Sequence, residues 1–248
     1  MAETLAIGSP PPLGELVSRG AVALFLDFDG TLVDIAPTPD AIRVPEGLAA
    51  RLEDLSRRLG GRLALVSGRS TTNIAAHLGA PAIARAGSHG SERVSADGSR
   101  LGAEPAVIPG AVEREVRAFA AGHAGIEYEE KSHGAALHYR AAPELEGAAI
   151  TFAERQALLH GLWVKPGKRV VELVNRGADK GGAVRAFMGE EPFAGALPVF
   201  VGDDVTDEDG FRAAAELGGF GVIVGARAGT LARHCLESPA KVLEWLEL

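Results

Sequence analysis

Short, uninterrupted apolar runs alternate with helical patterns along most of the chain. The runs are AVALFL at 21–26, RLALV at 62–66, LPVFV at 197–201 and FGVIVG at 220–225. They are continuous rather than alternating, which is typical of strands buried on both faces of a parallel sheet. Helical spacing of apolar residues occupies 45–60, 71–79, 179–189 and 207–218. This alternation predicts an α/β fold with a doubly wound parallel sheet.

The middle of the chain has a different pattern. Helical segments at 113–123 and 144–159 are each followed by a hairpin-like segment, at 125–140 and 161–174, and the second hairpin is expected to turn at Pro166-Gly167. This order suits a small antiparallel sheet with helices on one face. We therefore expect an inserted α+β domain at 106–173, which divides the core into residues 19–105 and 174–248. The first ~18 residues contain three consecutive prolines and are expected to form a loose leader.

Composition narrows the class of partner. The chain has 248 residues, 46% of them hydrophobic, and a formal net charge of −8. Nucleic acids and anionic membranes bind basic surfaces, so an acidic chain is not expected to have either as a partner. No apolar run reaches membrane-spanning length, the N-terminus lacks the features of a signal peptide, and the one cysteine, Cys235, allows no internal disulfide. We expect a cytoplasmic monomer that acts on a small anionic substrate.

Polar residues that could take part in catalysis or ligand binding follow the predicted strands. Asp27, Ser67 and Asp203 each stand at the carboxyl end of a run, where doubly wound sheets bind their ligands. In an extended segment Asp27 and Asp29 share a face, and Gly30 allows a sharp turn after them. Two adjacent carboxylates repel unless a cation or proton compensates them. They suit Mg²⁺, or a nucleophile beside a proton donor.

An acidic segment of this kind has three other interpretations. A calcium loop of the EF-hand type does not fit, because Thr31 stands at a ligand position and no helix precedes the segment. A solvated turn would explain an isolated D-x-D-G but not the other strand ends. A phospho-receiver module also uses an acidic cluster with Ser or Thr and Lys. The length of this chain argues against that interpretation. So does Asp29, because a receiver has no use for an acid beside its phosphorylated Asp.

Four motifs in order resemble the haloacid dehalogenase (HAD) phosphohydrolase superfamily: DFDGTL, SGR, ADKGGAV and GDDVTDED. The insert resembles the C2B-type cap of that superfamily. The segments AGSHGSE (86–92), HYR (138–140) and GKRVVEL (167–173), with GDDVTDED, are similar to the trehalose-6-phosphate phosphatase family. The resemblance runs from about Ala21 to the C-terminus. It implies a Mg²⁺-dependent phosphatase that hydrolyses trehalose 6-phosphate through an aspartyl-phosphate intermediate.

The resemblance also implies roles for the residues around the first motif. Asp27 would be the nucleophile, and Asp29 would be the acid that protonates the leaving sugar oxygen and then the base that activates water. Asp27, the backbone carbonyl of Asp29, and Asp203 would hold Mg²⁺. Asp204 and Asp207 would hold the waters of the metal and neighbouring groups.

Ser67 and Lys180 would bind the phosphoryl oxygens, with Arg69 in support. Each has a simpler reading: Ser67 as a turn cap, Arg69 as a surface ion-pair partner and Lys180 as an exposed helix start. His89 precedes Gly90 after an apolar run and is expected to be a packed loop histidine without a catalytic role.

Sugar recognition is expected in the insert. The chain has five lysines, four of which lie in one fifty-residue stretch that overlaps the insert. Lys131, Lys168 and Glu172 are the candidate contacts to sugar hydroxyls, although Lys168 and Glu172 could instead form a surface ion pair. The core motifs alone leave open phosphatases for sucrose 6-phosphate or mannosyl-3-phosphoglycerate and a hexose-phosphate phosphomutase.

Overall fold

The computed structural model describes residues 7–36, 41–102, 107–131, 133–167, 169–175 and 179–248. The chain forms two compact units, one made of Met1–Ala103 with Asp179–Leu248 and the other of Glu104–Ala178. The helices are α1 Leu13–Arg19, α2 Leu48–Arg58, α3 Thr71–Leu78, α4 Gly110–Gly122, α5 Glu146–His160, α6 Lys180–Met188, α7 Glu208–Glu216 and α8 Pro239–Trp245. The strands are β1 Val22–Leu26, β2 Leu63–Val66, β3 Ala84–Gly87, β4 Glu92–Val94, β5 Glu127–Lys131, β6 Gly134–His138, β7 Leu162–Gly167, β8 Val170–Asn175, β9 Leu197–Gly202, β10 Phe220–Val224 and β11 His234–Leu236.

The first unit is built on a seven-stranded sheet in the order β11-β10-β9-β1-β2-β3-β4. Its strands are parallel except that β4 runs antiparallel to β3. After β1 the chain builds outward through β2 and β3, and after the insert it resumes at β9 on the other side of β1. The strand order therefore reverses at β1, which places the ends of β1, β2 and β9 side by side.

Both faces of this sheet are buried, as the continuous apolar runs predict. Leu24 and Leu26 of β1 belong to a core cluster that includes α2 and α8, whereas Ala23 and Phe25 belong to a second cluster that includes α6 and α7. The alternation of side chains along a strand explains this division. The predicted doubly wound α/β core is confirmed.

The second unit is a four-stranded antiparallel sheet in the order β5-β6-β8-β7. One face packs its apolar residues, such as Leu137 and Leu173, against Val116 of α4 and Ala153 of α5. The predicted α+β insert is thus confirmed as a fold, while its function as a cap stays a prediction.

Two local expectations were wrong. The leader contains α1, because Leu13 and Leu16 are buried in the core and draw this short segment into a helix after Pro12. The second hairpin does not turn at Pro166-Gly167, since β7 continues through Gly167. Pro166 is tolerated within β7 because that strand is an edge of the sheet, where a missing N–H costs little. Within the described residues, no helix is both long enough and apolar enough to cross a bilayer.

Candidate active site

The segment after β1 folds into a tight turn that presents its carboxylates at the sheet edge. The N–H of Gly30 donates to the carbonyl of Val33 at 2.7 Å, and the carbonyl of Phe28 accepts from Leu32 and Val33. Gly30 has φ +78°, a conformation that side chains with a Cβ rarely adopt. A Cβ at this position would also lie 2.1 Å from Oδ2 of Asp203. Gly30 therefore lets the turn after β1 approach the carboxylate that follows β9.

A buried lysine joins two strand ends. Lys180, the first residue of α6, donates from Nζ to Oδ1 of Asp27 at 2.8 Å and to Oδ1 of Asp207 at 2.6 Å. The three side chains are 3%, 6% and 0% exposed, so solvent screens this ion pairing very little. Burial raises the pKa of Asp27 well above its ordinary value, against the opposing attraction of Lys180. The exposed helix-start alternative for Lys180 is therefore not what the structure shows.

Asp207 organises the segment after β9. Its Oδ2 accepts from the backbone N–H groups of Asp203 at 3.0 Å and Asp204 at 2.8 Å, while Oδ1 faces Lys180. Both oxygens of Asp207 are thus occupied by protein donors. The Asp204 side chain is exposed and lies 3.9 Å from Nη1 of Arg227.

Three carboxylates could hold a metal ion here. One oxygen from each of Asp27, Asp203 and Asp207 lies within 4.8 Å of the other two. Burial first, and then the charge of Asp207, raises the pKa of Asp203 to about 6 against the opposing attraction of Lys180, so the protein alone compensates its charged form only in part. Carboxylate oxygens are hard ligands of the kind Mg²⁺ prefers. The donor set and its partly compensated charge fit a divalent cation.

Asp29 is paired with Arg69. The guanidinium binds both carboxylate oxygens, from Nε to Oδ2 at 2.6 Å and from Nη2 to Oδ1 at 2.7 Å. Nη1 donates to Oδ1 of Asn73 at 2.7 Å, and the guanidinium lies 5.9 Å from the ring centroid of Phe28. The Arg69 side chain is only 9% exposed. The surface ion-pair interpretation of Arg69 was therefore wrong, because the residue is buried against the first motif.

Ser67 directly follows β2 and is buried. Its Oγ accepts from the N–H of Arg69 at 3.2 Å, which is the turn-capping contact that the sequence left as an alternative. The hydroxyl retains its own proton for donation. The helix that follows is capped by Ser70, whose Oγ accepts from Asn73.

In the second unit, the sheet face away from the helices carries polar side chains. One row across the strands reads Glu129, Ala136, Glu172 and Lys165. His138 belongs to the neighbouring row on the same face, and its Nε2 lies 2.7 Å from Oε2 of Glu129. Glu172 lies in β8, within the predicted second hairpin, and is paired across the strands with Lys165. The predicted sugar contacts did not include Glu129, and His138 was noted only within the HYR segment (138–140).

Two of the predicted sugar contacts cannot be placed fully. Lys131 is the last residue of β5, opposite Gly134, but its side chain lies outside the described part of the structure, and so does all of Lys168. Their predicted roles stay predictions.

Comparison with known proteins identifies the family. A family model described as trehalose-phosphatase matches residues 25–234. The chain belongs to the trehalose-phosphatase family. The trehalose-6-phosphate phosphatase of Escherichia coli (strain K12) is 40% identical over 243 residues, covering 96% of this chain and 90% of that protein. The predicted family and the predicted enzyme class, a phosphoric monoester hydrolase, are both confirmed.

Solved structures of the trehalose-phosphatase family share this fold. The C-terminal domain of the Candida albicans trehalose-6-phosphate phosphatase has a TM-score of 0.74 at 23% identity, covering 94% of this chain and 93% of that one. A phosphatase of the haloalkanoate (HAD) superfamily from Bacteroides thetaiotaomicron has a TM-score of 0.68 at 15% identity, covering 100% of this chain and 97% of that one. The HAD-like character of the fold is thereby confirmed.

Proposed function

We propose that this chain hydrolyses trehalose 6-phosphate to trehalose and phosphate, with Mg²⁺ bound and Asp27 as the nucleophile. The contact of Lys180 with Asp27 and Asp207 is the observation that carries the proposal. It places a cation against the proposed nucleophile at a strand end, where an incoming phosphate would otherwise meet only negative charge. The family membership and the similarity to the Escherichia coli enzyme support the choice of substrate.

In the first half-reaction an oxygen of Asp27 attacks phosphorus, and the bond between phosphorus and the sugar oxygen breaks. Asp29 in its protonated form gives its proton to the leaving sugar oxygen. Lys180 and the Ser67 hydroxyl bind the phosphoryl oxygens. Because Arg69 occupies both oxygens of Asp29, one of those hydrogen bonds has to open before Asp29 can serve the leaving group.

In the second half-reaction water attacks the phosphorus of the aspartyl phosphate. Asp29, now a carboxylate, takes a proton from that water, and the bond between phosphorus and the Asp27 oxygen breaks to release inorganic phosphate. The two hydrogen bonds from Arg69 hold the Asp29 side chain in a fixed orientation at the turn after β1.

Asp27, Asp203 and the backbone carbonyl of Asp29 would hold the metal. Bound Mg²⁺ would offset the charge of the phosphoryl group as it transfers. Asp207 instead positions Lys180 and the backbone of residues 203–204, because both of its oxygens already accept from protein donors.

The insert supplies sugar recognition in this proposal. Its helix-free sheet face carries Glu172, and Lys131 and Lys168 complete the predicted set. The same face presents Glu129 and His138 next to Ala136.

The test is phosphate release with Mg²⁺ from a panel of trehalose 6-phosphate, sucrose 6-phosphate, mannosyl-3-phosphoglycerate and hexose phosphates. We expect trehalose 6-phosphate to have the highest kcat/KM by at least about tenfold, the discrimination that paired polar contacts provide. A higher kcat/KM for another sugar phosphate would refute the substrate, and transfer of phosphate between sugar positions without release would indicate a phosphomutase.

Two variants separate the chemistry from the recognition. Asp29→Asn should slow hydrolysis of the sugar phosphate by about 10²–10⁴-fold, the usual worth of acid–base catalysis, and slow the first step with p-nitrophenyl phosphate less. Glu172→Ala should lower kcat/KM for trehalose 6-phosphate by at least about tenfold and leave p-nitrophenyl phosphate nearly unchanged. Glu154→Ala, on the exposed side of α5, is the matched control and should affect neither substrate. Equal losses on both substrates with Glu172→Ala would remove this residue from sugar recognition.

A further inference from the structure

The turn after β3 has an unusual backbone. Ser88, His89 and Gly90 follow one another with φ of +48°, +56° and +101°. Side chains with a Cβ are uncommon in this region, and such residues persist only where the surroundings hold them. We call Ser88–Gly90 the left-handed turn. We therefore expect the contacts of this turn to stabilise its positive φ angles.

One side of the left-handed turn forms backbone hydrogen bonds with the loop after β2. The N–H of His89 donates to the carbonyl of Ser67 at 3.0 Å, and the N–H of Ser88 donates to the carbonyl of Arg69 at 2.7 Å. Gly68 lies between them, where a Cβ would come 2.7 Å from Cε1 of the imidazole. The loop that carries Ser67 is therefore held at two carbonyls and packed tightly against the turn.

The other side of the turn abuts the start of α6. A Cβ on Gly90 would lie 2.3 Å from the carbonyl oxygen of Asp179, the residue that precedes Lys180. That carbonyl already accepts from Ala183 at 3.1 Å within the first turn of α6. The backbone of Gly90 thus fills the space beside Asp179 completely.

Glu92 ties the turn to a third element. Its Oε1 accepts from the hydroxyl of Ser88 at 2.7 Å, and its Oε2 accepts from the N–H of Thr71 at 3.0 Å and from the Thr71 hydroxyl at 2.8 Å. The left-handed turn is consequently fastened at the loop after β2, at the start of α3 and at the start of α6.

We infer that the left-handed turn is a brace that sets the separation between Ser67 and Lys180, the two proposed phosphoryl ligands. His89 is a positioning residue that acts through its left-handed backbone, and Gly90 acts through the absence of a Cβ. This inference rests on the proposed function, because it assigns the brace to the phosphoryl site of that reaction. The contacts to sugar and to the leaving group do not enter it.

The experiment compares two substitutions at one position. His89→Gly removes the imidazole and keeps the backbone free to be left-handed, whereas His89→Val removes it and imposes a β-branched residue that resists positive φ. The readout is the dissociation constant of inorganic phosphate with saturating Mg²⁺, measured by calorimetry, together with thermal melts. Ala80→Val is the matched control, because Ala80 has φ +53° and is exposed at the far end of α3.

We expect His89→Gly to bind phosphate within about threefold of the wild type and His89→Val to bind at least about tenfold more weakly, since displacements near 1 Å have effects of this size. Ala80→Val should lower the melting temperature without changing phosphate affinity. If His89→Val does not fold, Gly90→Ala replaces it, with Gly98→Ala as its control: Gly98 has φ +87° but nothing within 4 Å of its Cβ position. Gly90→Ala should then weaken phosphate binding at least about tenfold.

Equal weakening by His89→Gly and His89→Val would assign the effect to the imidazole and overturn the brace. Phosphate affinity within threefold of wild type in every variant would overturn it too. In both cases a wild type that hydrolyses sugar phosphates keeps the proposed function. A wild type that neither binds phosphate nor hydrolyses sugar phosphates would overturn both.

Discussion

Replacing Lys180 with methionine should destabilise the fold as well as abolish turnover. Methionine has a similar length but no charge, so Asp27 and Asp207 would stay buried without their shared cation. Their side chains are only 6% and 0% exposed, so water cannot take over the role of the ammonium group. Removing one partner of a buried ion pair costs about 3–5 kcal/mol, a large share of the ~5–15 kcal/mol that holds a typical domain together.

At roughly 2–4 °C per kcal/mol for a chain of this size, the melting temperature should fall by about 6–20 °C. The assay is thermal and urea unfolding in EDTA at pH 7.5, which removes any compensation by bound metal. The deficit should shrink as the pH falls. Burial already raises the pKa of Asp27, and loss of Lys180 raises it further, so the folded variant takes up protons that the unfolded chain does not.

Lys241→Met is the matched control. Lys241 pairs with Glu244 through side chains that are 51% and 69% exposed, and water screens such a surface pair, so its loss should barely change the melting temperature. In addition, Asp27→Asn in the Lys180→Met background should recover part of the lost stability, because it removes one of the two uncompensated carboxylates. A melting temperature for Lys180→Met that matches that of Lys241→Met would refute the reasoning.

Three further outcomes are expected. Gly30→Ala should lower Mg²⁺ affinity and turnover at least about tenfold by displacing Asp203, whereas Gly47→Ala, with φ +72° and open space, should cost only about 1–2 kcal/mol of stability, as urea unfolding and metal titration would show. In EDTA, the wild type should become less stable as the pH rises from about 4 through about 6, because the pKa of Asp203 is raised to about 6, and Asp203→Asn should weaken that dependence without abolishing it, because the pKa of Asp27 is raised as well. Mg²⁺ should support turnover while Ca²⁺ inhibits it, because Ca²⁺ takes more ligands at longer range; equal rates with the two ions would contradict an octahedral site.

The layers of this protein, and the ends of the sheet where its polar residues lie, follow from patterns that are visible along the chain. Continuous apolar runs such as 21–26 are buried on both faces, and the period of α2 places its leucines in the core, because burial of apolar surface acts on local patterns that the sequence displays directly. The acidic D-x-D-G segment after β1 and the lysine at the start of α6 could be recognised because they adjoin elements that these local patterns predict.

Which polar groups contact each other depends on how the chain is folded. Lys180 lies 153 residues from Asp27, and Arg69 lies 40 residues from Asp29, so their pairing depends on strand order and not on spacing along the chain. The register of the second sheet placed Lys165 opposite Glu172 and brought His138 within 2.7 Å of Glu129, and burial of Leu13 and Leu16 made a helix of the proline-rich leader. Local patterns carry the hydrophobic effect, whereas hydrogen bonds and ion pairs between distant segments depend on distances that exist only after the chain has folded.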